Sequence, residues 1–243
     1  MIQRNQMAQS AAAGAVAAPR VSVDVQTRVV NQVYTWMTLG LALTATVGYY
    51  VSGNEMLRNI IFSNNLILIG LVIAQLGIVV GLSAGINRMS GSVATGLFIL
   101  YSALTGLTFS AIFMVYTSSS IASTFFVTSG TFAAMSVFGH TTKRDLTKLG
   151  NIAFMALIGI ILASLVNMFM QNSMLELVIS VIGVLLFTGL TAYDAQRIKE
   201  MAAMVTDGES EAKVSVMGAL SLYLNFINLF LMLLRFLGVA RDE

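Results

Sequence analysis

The sequence predicts an all-α polytopic membrane protein, a bundle of seven transmembrane helices with the last helix central. Three observations predict it. Hydrophobic residues make up 57% of the 243 and charged residues only 10%, against roughly 25% charged in an ordinary soluble domain. The apolar residues fall in long runs with almost no charge inside them, each long enough to cross a hydrocarbon core of roughly 30 Å at 1.5 Å per residue. The polar residues of the last run recur on one helical stripe, so that run has a face for protein or water as well as faces for lipid or neighbouring helices.

Taken in order, residues 1–32 read as a polar, Ala-rich, disordered tail. The Ala-rich stretch 11–18 lacks the Leu, Ile and Phe of a secretory h-region. The only proline, Pro19, lies there, so no span carries a proline kink. The transmembrane domain covers 33–238, with spans at 33–52, 66–85, 93–116, 121–139, 150–170, 174–193 and 215–237, and residues 239–243 form a short C-terminal tail. No internal repeat relates the halves, which gives no support to an inverted-repeat transporter.

Orientation comes from Lys and Arg. Arg4, Arg20, Arg28, Arg88, Lys143, Arg144, Lys148, Arg197, Lys199 and Lys213 fall on one side and Arg58, Arg235 and Arg241 on the other. The richer side is cytoplasmic by the positive-inside rule. The N-terminus is therefore expected inside and, with seven spans, the C-terminus outside. The net charge of +2 reports topology and not a nucleic-acid partner. With no cysteine, thiolate chemistry and disulfides are excluded.

Small residues recur at four-residue steps in three spans: Gly77, Gly81 and Gly85; Ser102, Gly106 and Ser110; Gly159 and Ala163. Such stripes let helix backbones approach closely in lipid, so packing is their expected role. Gln75, alone in the middle of its span, is expected to face the bundle interior and make one interhelical hydrogen bond. In the last span Gly218, Ser221, Asn225, Asn228, Met232 and Arg235 share the stripe. Asp194 is the one acid at the deep end of an apolar run, and an ionisable group at membrane depth is a functional candidate by default.

No enzyme constellation stands out, and no cofactor is expected. His140 sits in a basic turn, Gly139-His-Thr-Thr-Lys-Arg-Asp145, without a second histidine or an acidic cluster at ligand spacing. The nucleophile-elbow, phosphate-loop and dinucleotide glycine signatures are absent.

Four segments carry a resemblance: Thr105-Gly-Leu-Thr-Phe-Ser110, Phe138-Gly-His-Thr-Thr-Lys-Arg-Asp-Leu146, Leu190-Thr-Ala-Tyr-Asp-Ala-Gln-Arg-Ile-Lys199 and Leu222-Tyr-Leu-Asn-Phe-Ile-Asn-Leu-Phe-Leu-Met-Leu-Leu-Arg235. They resemble the signature segments of the transmembrane Bax inhibitor motif family (Bax inhibitor-1) in its bacterial branch, over nearly all the chain from about residue 30. The resemblance implies a multi-pass protein of the inner membrane with a pH-sensitive calcium leak, calcium being the permeant ion. It also implies a pair of hydrogen-bonded aspartates near the cytoplasmic mouth. Asp194 falls on the first; Asn225 stands where the family has the second. Two close carboxylates share a proton and titrate as a pair, whereas an Asp–Asn pair has no like-charge term, so the pH switch is not expected to carry over unchanged. Ser221 and Asn228 are expected to support the site, together with Arg88, near a basic position that contacts the aspartates in some relatives. The other function the family implies is an interaction protein that modulates a membrane protease or a cell-death partner.

Overall fold

The computed structural model describes residues 23–241, so the first 22 residues of the tail expected over 1–32, and the last two residues of the chain, lie outside the described residues. Eight α-helices follow one another: α1 (Val23–Gly53), α2 (Glu55–Phe62), α3 (Asn65–Gly85), α4 (Gly91–Val115), α5 (Ser118–Thr141), α6 (Thr147–Met170), α7 (Ser173–Ala202) and α8 (Gly208–Leu237), with a 3-10 turn (Ile86–Arg88) between α3 and α4. Most begin at a side-chain cap. Asn54, Asn64, Ser90, Thr117, Asn172 and Asp207 each accept a backbone N–H two or three residues on, satisfying a donor that the first turn would otherwise leave unpaired. α6 has no such cap at Leu146; instead Leu146 N donates to Oε1 of Gln196 on α7 at 2.9 Å and Thr147 N to Asp145 Oδ1 at 2.8 Å.

Five elements differ from the sequence reading. Residues 23–32, expected in the tail, are the first turns of α1, because Val29 and Val33 are fully buried and Val29 packs with Ala202 and Val205. α2 was not expected. α7 continues past 193 to Ala202, and α8 starts at Gly208 instead of 215. His140, expected in a turn, lies in the last turn of α5.

Among the described residues six helices, α3 to α8, are long and apolar enough to cross a membrane. α1, expected as the first span, is more polar, yet its threonines return their hydroxyls to their own helix: Thr35 donates to Asn31 O, Thr38 to Tyr34 O and Thr46 to Ala42 O, each at 2.8 Å. Little unsatisfied polarity is left on its outer face.

α8 is the most buried of these helices. It packs against α1, α4, α5 and α7, with Tyr223, Leu222 and Leu229 fully enclosed. α1, α4 and α8 run in the same direction. Gly40 of α1 faces Phe98 of α4 and Gly48 faces Phe113, Glu209 at the start of α8 accepts from Gly91 N at the start of α4, and Ala240 after α8 bridges to Tyr116 after α4. Between them runs a buried polar chain, in which Thr44 Oγ1 donates to Ser102 O at 2.8 Å and lies 2.6 Å from the Tyr223 hydroxyl. The rings of Phe98 and Tyr101 stand edge-on to Tyr223.

The small-residue stripes divide. That of α4 packs as expected, with Ser102, Gly106 and Ser110 buried and Gly106 so close to α1 that a Cβ there would lie 2.8 Å from the Thr44 carbonyl oxygen. Those of α3 and α6 do not pack along their length, although Ala163 of α6 rests against the cluster shared with α7. Gly77, Gly81 and Gly159 have no neighbour within 4 Å of where a Cβ would stand, because α3 and α6 lie at the edge of the bundle, with few of their residues buried.

Candidate functional site

Asp194 and Asn225 meet. Asn225 Nδ2 donates to Asp194 Oδ2 at 2.7 Å, and Asn225 is only 5% exposed. From the sequence the two stand at different depths, and the structure supplies the reason they meet. α7 and α8 are antiparallel, with Gly183 against Met232 and Ile198 against Gly218, a register that sets Asp194 about one turn from Asn225. Side chains on a helix lean towards its N-terminus, and in antiparallel neighbours Asp194 and Asn225 lean towards each other and close that turn. The extra turns of both helices beyond the apolar runs place this contact well inside the hairpin.

The pair opens onto a cavity of about 720 Å³. Its floor is α7 and α8, and its walls are α3 with α4 on one side and α6 on the other. Ser221 and Asn228 line it as expected; Asn228 Nδ2 donates to Leu224 O of its own helix at 2.8 Å, which leaves its carbonyl oxygen for the cavity. Gln75 also lines it and accepts a hydrogen bond from Thr105 Oγ1 at 3.3 Å, the single interhelical bond expected of it. The stripe of α8 thus faces α7 and the cavity, and Arg235 at its far end pairs loosely with Glu176 at 3.8 Å.

Arg88 is not brought to the site. It lies exposed on the 3-10 turn after α3 and is absent from the cavity lining. The basic lining residue is Arg197, one turn along α7 from Asp194, and no ion pair joins the two among the described residues. Arg197, Tyr193 and Asn151 were not singled out from the sequence. Tyr193 holds α6 against α7 through Gly150, where a Cβ would stand 2.6 Å from the Tyr193 ring. Gln196, in the same segment, staples the α5–α6 turn by bonding Leu146 N and Arg144 O, both at 2.9 Å.

Chemically the site is a carboxylate with one neutral donor, in a cavity lined by amides, hydroxyls and one guanidinium. A carboxylate oxygen and several amide and hydroxyl oxygens suit a hard cation. Nothing here resembles a nucleophile with its base.

Comparison with known proteins agrees with this architecture. A model of the family described as Inhibitor of apoptosis-promoting Bax1 matches residues 26–242. The inner membrane protein YbhL of Escherichia coli K12 is 56% identical over 212 residues, covering 86% of this chain and 91% of that protein. An uncharacterized protein of Borreliella burgdorferi is 48% identical over 220 residues, covering 90% and 95%, and an uncharacterized membrane protein of Streptococcus pyogenes serotype M6 is 40% identical over 209 residues, covering 85% and 90%.

Proposed function

Because the chain belongs to the Bax inhibitor-1 family, a family of helical membrane proteins, we propose that it is a cation leak of the inner membrane, with calcium as the permeant ion and Asp194 as the ligand that gates it. The observation that carries this reading is the Asp194–Asn225 contact at 2.7 Å on the wall of an open cavity. A carboxylate there, with no ion-pair partner among the described residues, attracts a cation and holds it weakly enough to release it. Asn225 donates to the carboxylate directly, so the contact closes without a proton shared between two acids. The pH response is accordingly weaker than in a protein with two aspartates.

The same reading makes α1 the seventh crossing. It runs parallel to α4 along most of that span's length, and its hydroxyls are satisfied internally. The N-terminus and the α7–α8 turn are then cytoplasmic and the end of α8 external.

Calcium flux into proteoliposomes tests the proposal. Asp194→Asn should change the flux while the purified protein melts within a few degrees of the natural one. Wild-type protein that carries no calcium ends the leak reading and leaves the interaction protein. Asn225→Asp should bring a pH dependence between roughly pH 5 and 8, since two carboxylates in hydrogen-bond reach share a proton. Superimposable flux–pH curves for the two proteins would remove the pairing argument.

A further inference from the structure

The outer end of the bundle holds a second cavity, of about 680 Å³, bounded by the end of α1, by α2, by the α4–α5 corner and by the chain after α8. Two arginines line it, Arg58 of α2 and Arg241, and among the described residues no Asp or Glu does. Arg58 is partly buried, and its Nε is shielded from solvent without a hydrogen-bond partner. Of the three basic residues at this end, only Arg235 has an acidic partner within 4.0 Å among the described residues, Glu176.

The second arginine is placed by the fold. The chain after α8 is laid along the α4–α5 corner by Thr117 N to Val239 O at 3.0 Å, Val239 N to Ser120 Oγ at 2.9 Å and Arg241 N to Val115 O at 2.9 Å. Tyr116 packs so close that a Cβ at Gly238 would meet its ring, so that position requires glycine. Among the described residues the Arg241 guanidinium then reaches only Ser118 Oγ, at 3.5 Å, which leaves most of its donors without a partner there. Two of the cavity's hydroxyl donors are committed already, Ser52 to Tyr49 O and Thr46 to Ala42 O. The charged donors at this site are guanidinium N–H groups, the fork that fits a phosphate or carboxylate with two parallel bonds.

Depth selects between those anions. Tyr49 and Tyr50 at the cavity mouth are 72% and 65% exposed, and exposed tyrosines at a span's end stand at the headgroup level. α2 beside them exposes Met56 and Ile60 on one face while Arg58 turns into the cavity. The anion met at that level is the phosphodiester of a phospholipid.

We propose that Arg58 and Arg241 form a phosphate-binding site on the outer face of the bundle, occupied by the phosphodiester of an anionic phospholipid. The site is separate from the Asp194 cavity and does not depend on the leak.

Thermal unfolding of the full chain in a neutral detergent tests it, with phosphatidylglycerol, phosphatidylcholine or inorganic phosphate added. Phosphatidylglycerol should raise the melting temperature, and Arg58→Gln and Arg241→Gln should each weaken the half-effect concentration roughly tenfold or more, the loss of a charge-assisted contact. Arg144→Gln, at the other end of the molecule, should leave it unchanged. If Arg58→Gln does not fold, Arg58→Lys keeps the charge but loses the fork, and should show part of the loss. A shift with inorganic phosphate that also needs both arginines supports the same chemistry from a soluble source. Equal response of the natural protein and both Gln variants overturns the site. So does a lipid response that emerges only when Asp242 and Glu243 are deleted, since the cavity would then belong to the chain's own acidic end.

Discussion

α3 and α8 are both long apolar helices, and α3 is the more apolar of the two, yet α3 lies at the edge of the bundle and α8 in its centre. In water the order would be reversed. In lipid, apolar surface gains nothing by leaving the solvent, so the interior goes to the helix with groups that need partners and with surfaces that fit closely. α8 supplies Asn225 for Asp194, Tyr223 for Thr44 and Ser215 Oγ for Gln32 Oε1 at 2.9 Å. α3 supplies Gln75 alone, and its glycines face outward.

The largest test of that contrast is to add a methyl group at a glycine in each setting. At Gly139, on the α5 face that meets α7, a Cβ would run into the Ala192 carbonyl. Backbone cannot give way as a side chain can, so Gly139→Ala should cost about 3 kcal/mol or prevent folding. Gly77→Ala on α3 has open space and should fall within about 1 kcal/mol of the natural protein, on the stabilising side, because alanine is the better helix former. Melting in detergent measures both. Equal losses would mean that α3 is covered by a partner absent from the monomer.

The interior helix was legible because its polar residues repeat at three- and four-residue steps, and the same stripe pointed to Ser221, Asn225 and Asn228. Asp194 stood out as an acid at a span's end. Hydropathy did not reveal that α7 runs on through Arg197, Lys199 and Glu200: charge marks where the membrane stops, and the helix does not stop with it. Arg197 and Tyr193 were hidden for that reason, since at a span's mouth they look like headgroup anchors. The start of α1 could have been read, because Val25, Val29 and Val33 recur at four-residue steps while Asp24, Thr27 and Asn31 face out. α2 gave no comparable signal in eight residues that mix Glu55 and Arg58 with apolar side chains. The glycines of α3 misled because a small-residue stripe shows that a helix can pack closely, and only a partner decides whether it does.

A smaller effect is expected from Tyr223→Phe at the centre of α8. The ring keeps its edge-on contacts with Phe98 and Tyr101, and Thr44 keeps its bond to Ser102 O, so one buried hydrogen bond is lost. The cost should be about 1 kcal/mol, read as a modest drop in melting temperature. Asp194→Asn flux measured on this variant should match that on the natural background, because the Tyr223 hydroxyl bonds neither Asp194 nor Asn225.

The smallest effect sharpens the comparison at the helix starts. α8 begins outside its apolar run on Asp207, whose side chain accepts from Ser210 N at 2.7 Å, while Ser210 Oγ accepts from Asp207 N at 3.1 Å. α3 begins on a neutral cap, Asn64, which accepts from Leu66 N at 2.9 Å. The Ser210 backbone N–H, then its side chain, hold the Asp207 carboxyl below the usual carboxylate range. A folded value below the unfolded one gives stability that is fully present above the unfolded value, near pH 4, and is lost as pH falls through the folded value. Acid should therefore loosen the first turn of α8 and leave that of α3 as it was. Hydrogen exchange corrected for intrinsic rates should show protection over 208–213 falling below about pH 4 while 65–70 stays level. Asp207→Asn keeps an accepting oxygen at the cap and removes that titration, so its acid loss over 208–213 should be smaller, the remainder coming from Glu211, whose carboxyl the Arg28 hydrogen bonds also hold below the usual range. An acid loss of equal size in Asp207→Asn would assign the effect to some other carboxylate and leave the two helix starts alike.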